Sequence, residues 1–123
     1  DTGPYILYSY VRASRILEKA SEEGLEPSTP NPRITHPSEK KLLKGLSKFD
    51  LIIEDAAKNL SPKTLARYAI DLSTLFNNFY ESNPVLSCAD KEVRGSRLML
   101  VAAYKAVLGK IMDLLGLPIL ERM

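Results

Sequence analysis

The sequence predicts an all-α fold, a bundle of four to six helices forming a single helical domain over residues 1–123. Three observations carry this. Apolar residues recur at alternating spacings of three and four along the long segments. No segment sustains the period-two alternation of a half-buried strand. Prolines gather at the edges of the periodic segments and in one connection, where they punctuate rather than interrupt.

The first helix is predicted from about Pro4, a residue tolerated in a first helical turn, to Glu23, with Gly24 as its stop. The stretch GLEPSTPNPRITHPS, residues 24–38, holds Pro27, Pro30, Pro32 and Pro37. It reads as an extended surface crossover, because proline donates no backbone hydrogen bond and disfavours helix. Ser38 is the expected cap of the next helix, SEKKLLKGLSKF, which Gly45 weakens or breaks before DLIIEDAAKNL continues from Asp50. Ser61 and Pro62 open the most periodic segment, in which Leu65, Ala69, Leu72, Phe76 and Phe79 share one face. SNP at residues 82–84 stops it, and residues 85–91 form a loop. A last helix runs from about Glu92 to Leu115, with Leu98, Val101, Ala102, Leu108, Ile111, Met112 and Leu115 on its apolar side. GLP at 116–118 ends it.

Composition narrows the function classes. A net charge of +2 announces no nucleic-acid binder, so any basic surface must come from local arrangement. One cysteine, Cys88, forms no internal disulfide and fits a reducing compartment. No apolar run reaches the length of a membrane span. The chain begins at Asp1 without a charged-then-apolar leader or an initiator methionine, and reads as a piece of something longer.

Catalytic supply is thin. The single histidine, His36, lies beside Pro37 in the crossover, where a lone histidine is usually surface. Cys88 has no histidine near it in sequence. The acids of IIED, 52–55, and DKE, 90–92, lack metal-ligand spacing and accompany no glycine-rich phosphate loop. Asn77 and Asn78 are amides able to read base edges, although asparagines near a helix end are more often solvated or capping.

The opening segment, DTGPYILYSYVRASR, is richer. At about 100° per residue, Ile6, Tyr10, Ala13, Leu17 and Ala20 form an apolar stripe. Tyr5, Tyr8, Arg12, Arg15 and Lys19 form a second stripe beside it, interleaving phenol rings with cations and containing no acid. Such a face suits unpaired bases and phosphates. It equally suits a core boundary, with tyrosine hydroxyls in water and arginine stems covering the rings. Tyr80, at a helix end beside a loop, poses the same choice, and Arg94 and Arg97 open the last helix near that loop.

Three blocks, in order and at consistent spacing, carry a family resemblance: DTGPYILYSYVRASRIL, LARYAIDLSTLFNNFYESNPVL and RLMLVAAYKAVLGKIMDLLGLPILERM. Together they resemble the C-terminal anticodon-binding (DALR-type) helical domain of arginyl-tRNA synthetases over essentially the whole chain. The resemblance implies recognition of the arginine tRNA anticodon by Tyr5, Tyr8, Tyr80 and Met123. The tyrosines would stack on or flank loop bases, Met123 would pack against one, and Arg12 and Arg15 would hold phosphates. Arg12 matches an arginine of the family's opening motif, whereas Arg15 rests on its helix face alone. Leu7 and Ser9-Tyr10 depart from that motif, and Tyr10 belongs to the apolar stripe. The HIGH-like and KMSKS-like signatures of the catalytic domain are absent. KGLSK at 44–48 has the wrong context for the second. The implied whole protein is a cytoplasmic arginine–tRNA ligase using ATP and magnesium in a separate catalytic domain of the same chain. This fragment holds neither cofactor and is expected to be inactive alone. The alternatives are the equivalent domain of another class I synthetase and a helical protein-interaction module that binds no RNA.

Overall fold

In the computed structural model, residues 2–28, 33–59 and 61–116 are described, and they form five helices and no strand. These are α1 (Thr2–Glu22), α2 (Pro37–Ser47), α3 (Phe49–Asn59), α4 (Pro62–Ser82) and α5 (Lys91–Leu114). Helix α4 contacts all four others, and α5 packs against α1 and α2 as well. The predicted α4 face is the centre of the core, with Leu65, Ala69, Leu72, Phe76 and Phe79 all buried. Phe76 stacks on Tyr104 of α5 with ring centroids 4.1 Å apart and planes 2° from parallel. Tyr104 hydrogen-bonds to Ser73 Oγ at 3.1 Å, and burial raises its phenol pKa.

Helix α1 starts at Thr2, two residues before the expected start. Pro4 is compatible with this because first-turn N–H groups have no intrahelical partner to lose. The other end follows the glycine signal. Gly24 takes φ +72°, its N–H reaches Ser21 O at 3.1 Å, and Leu25 N–H reaches Ala20 O at 2.8 Å. That is the double bond of a Schellman stop. Ile6, Tyr10, Ala13 and Ala20 are buried as the stripe predicts and Leu17 is half-buried, while Ser9, Val11, Ser14 and Ile16 are buried too. The stripe is wider than expected because α1 is held by α4 and α5 together.

Two local expectations are corrected. The cap of α2 is His36, not Ser38, so His36 is no idle surface residue. Pro37 disfavours helical backbone in the residue before it, so the extended capping position falls on His36, at φ −109° and ψ 144°. Its Nδ1 accepts from Ser38 N–H at 3.1 Å, and Glu39 Oε1 accepts from His36 N–H at 3.0 Å. The second correction concerns Gly45, which lies inside α2. The α2–α3 break comes at Lys48 instead. Gly45 permits close packing: a Cβ there would stand 2.6 Å from Leu75 Cδ1 and 3.4 Å from Leu72 Cδ1 of α4. Its carbonyl accepts a 2.7 Å bond from the Tyr68 hydroxyl, whose pKa burial pushes up to about 12. Ser61 occupies the α4 cap position without a side-chain cap bond, its Oγ instead accepting from Thr64 Oγ1 at 3.2 Å.

Helix α5 is capped by Asp90, which accepts from Glu92 N–H at 2.9 Å and Val93 N–H at 3.2 Å. These bonds, that from Val93 foremost, hold its carboxyl below the ordinary range, with help from the Arg33 guanidinium. A depressed folded-state pKa contributes stability that is present above the unfolded value and lost as pH falls through the folded one. Asp90→Ala is therefore expected to lower Tm by several degrees at pH 7 and by progressively less below about pH 4. A pH series of thermal melts checks this, and a deficit unchanged at acid pH would contradict the cap.

Candidate anticodon-binding face

Helices α1 and α4 run side by side in the same direction, so the second stripe of α1 meets the end of α4. Tyr5, Tyr8 and Tyr80 keep 37%, 50% and 39% of their surface exposed, whereas Tyr10 keeps 5% and belongs to the core. Spacing alone thus separated the tyrosines of α1 correctly.

Arg12 is the centre of the arrangement. Its guanidinium carbon lies 4.3 Å from the Tyr80 ring centroid and 4.9 Å from that of Tyr8. Arg12 Nη2 donates to Tyr8 Oη at 2.9 Å and Nη1 donates to Asn77 Oδ1 at 3.1 Å. Asn77 Nδ2 in turn donates to Tyr5 Oη and to Ser9 Oγ, each at 3.1 Å. Tyr5 Oη also hydrogen-bonds with Thr74 Oγ1 at 3.2 Å. A single network therefore fixes Tyr5, Tyr8 and Arg12 to α4, and a cation bridges two rings that would otherwise be free to turn. Beneath Tyr80 lies Phe76, at a centroid distance of 6.4 Å.

Past Tyr80 the face opens into a cavity of about 560 Å³ between Ile16 of α1 and the α4–α5 connection, with Ser82 and Ser87 among its walls. It combines an aromatic wall with hydroxyl groups, which is what an unstacked base requires. Arg15 is exposed one turn along from Arg12. Met123 lies outside the described residues. Arg97 is turned inward, donating to Pro84 O at 2.7 Å and pairing with Glu39, and Arg94 donates to Cys88 O at 3.3 Å.

Sequence reasoning had no firm signal for Asn77, Thr74 or Ser9. The available clue was the position of Asn77 three residues before Tyr80, which places both near one side of α4. Among the described residues no three of His, Cys, Asp and Glu converge as a metal site, and no helix is long and apolar enough to cross a membrane.

A five-helix domain presenting aromatic residues around an arginine, beside an open cavity, has the features of a helical module for unpaired RNA bases. Residues 6–123 match the family described as the DALR anticodon binding domain, and the chain belongs to that family. Similar curated proteins are arginine–tRNA ligases. That of Methanococcoides burtonii is 40% identical over 98% of this chain, and that of Methanopyrus kandleri 43% identical over 98%. The chain spans 22% and 20% of their lengths. The solved arginyl-tRNA synthetase of Thermus thermophilus superimposes with a TM-score of 0.88 at 35% identity, over 100% of this chain and 21% of that one.

Proposed function

We propose that this domain recognises the anticodon loop of arginine tRNA as part of a cytoplasmic arginine–tRNA ligase. The catalytic domain of that ligase, with its ATP and magnesium, lies outside the residues of this chain. The observation that carries the reading is the Arg12 cluster, in which three exposed tyrosines are fixed in orientation before any ligand arrives. Tyr5, Tyr8 and Tyr80 offer stacking surfaces to loop bases, and Met123 packs against one of them. Arg12 has N–H groups beyond the two engaged with Tyr8 and Asn77, and it and Arg15 face phosphates.

Stacking on one aromatic residue contributes about 1–3 kcal/mol, or roughly 5–150-fold in affinity. Tyr80→Ala is expected to weaken binding of an arginine-anticodon stem-loop by that factor. A stem-loop with an altered anticodon should lose far less. Fluorescence titration of both RNAs against both proteins checks it: an unchanged affinity for the arginine stem-loop would remove the stacking role, and equal losses would show a stack that does not discriminate bases.

A further inference from the structure

A groove of about 460 Å³ separates α4 from the α2–α3 pair, away from the cavity beside Tyr80. Leu72 and Leu75 line its depth, and Lys48, Lys63 and Arg67 stand exposed along it. Asp71 is the sole acid among the described lining residues. None of the three cations has a hydrogen-bond or ion-pair partner among the described residues, not even Arg67 with Asp71 one turn on. An unneutralised trio beside a single acid favours an anionic occupant.

The position of the groove identifies which anion. Lys63, Arg67, Ile70, Thr74 and Asn77 succeed one another at spacings of four, three, four and three, so they follow one stripe of α4. That stripe leads directly into the Arg12 network, since Thr74 and Asn77 both bond Tyr5. From Arg67 the helix rises about 10 Å to Thr74, which bonds Tyr5, and about 20 Å to Tyr80. The cations therefore stand to one side of the tyrosine cluster, beyond bases stacked at Tyr80, on a surface continuous with it.

We propose that Lys48, Lys63 and Arg67 bind the sugar–phosphate backbone of the same RNA outside its anticodon loop. This rests on the anticodon reading and deepens it. The loop face selects the sequence, and the groove adds affinity that is indifferent to sequence and sensitive to salt.

The test is a titration of the chain and its K48Q/K63Q/R67Q variant against labelled stem-loops, one with an arginine anticodon and one with an altered middle base, across a series of salt concentrations. Each lost phosphate contact flattens the plot of log affinity against log salt by about 0.7–0.9. The expected result is a slope shallower by about 2–3, with both RNAs weakened by the same factor. Lys63→Gln alone should give about a third of the change. All three side chains are exposed, and thermal melts should match wild type. If slope and affinity are unchanged while Tyr80→Ala still weakens the arginine stem-loop, the groove proposal is overturned and the anticodon reading stands. If wild type binds neither stem-loop at low salt, the anticodon reading fails and the groove proposal with it.

Discussion

Replacing Arg97 with methionine is expected to destabilise the domain by about 3–5 kcal/mol, a large share of the roughly 5–15 kcal/mol that holds an ordinary domain folded. The reason is the residue left behind. Glu39 is fully buried, and Arg97 Nη2 lies 3.6 Å from its Oε1. That same oxygen accepts from His36 N–H at 3.0 Å and from Thr35 Oγ1 at 3.0 Å. The other carboxylate oxygen, Oε2, has no partner among the described residues. Removing the guanidinium thus strands a charge with one oxygen unsatisfied. It also releases Pro84 O, to which Arg97 Nη1 donates at 2.7 Å, and with it the α4–α5 connection that walls the cavity beside Tyr80. The double variant E39Q/R97M separates these effects. Glutamine keeps the oxygen that caps α2 but carries no charge, so the double variant should be more stable than R97M alone. Urea unfolding of wild type and both variants measures this. A loss under about 1 kcal/mol for R97M, within the range of exposed ion pairs, would show that the pair does not behave as a buried one.

Phe76→Ala is expected to cost about 3–5 kcal/mol, through lost transfer energy and the cavity left between α4 and α5. Phe76 is fully buried, stacks on Tyr104 at 4.1 Å and lies 6.0 Å from Phe79. Its position also ties stability to the proposed base contact, because the Tyr80 ring rests over it on the outer side. At temperatures where the variant remains folded, it should therefore bind an arginine-anticodon stem-loop more weakly than wild type. Denaturant unfolding combined with titration below Tm tests both halves. Full affinity in a folded but destabilised variant would show that Tyr80 is positioned without its neighbour.

These two sites mark the limit of what sequence periodicity reveals. The repeat of Leu65, Ala69, Leu72, Phe76 and Phe79 identified a buried face, and all five residues are buried. The same arithmetic put Tyr10 inside and Tyr5 and Tyr8 outside, as found. Pro4 and Gly24 located the ends of α1 to within two residues, because first turns and stops depend on local backbone rules. What periodicity does not contain is the partner across the interface. Arg12 and Asn77 are 65 residues apart, and Asn77 and Tyr5 are 72 apart, so their network exists only once α1 lies against α4. Gly45 illustrates the same point. Its helix propensity argued for a break, but contact with Leu75 and Leu72 requires the missing side chain and keeps it inside α2. His36 became a cap through the constraint that Pro37 places on its neighbour, a local rule that Ser38 obscured.

Whether the exposed face around Arg12 reads anticodon bases, as proposed, or is a plain helix surface is decided by titrating the chain with an arginine-anticodon stem-loop and with the same stem-loop carrying a changed middle base, at one fixed salt concentration. Both RNAs offer the same phosphates, so any difference reports base contact. Tighter binding of the arginine stem-loop by about tenfold or more, the cost of one misread base, is the predicted result. Equal affinity for the two would contradict it.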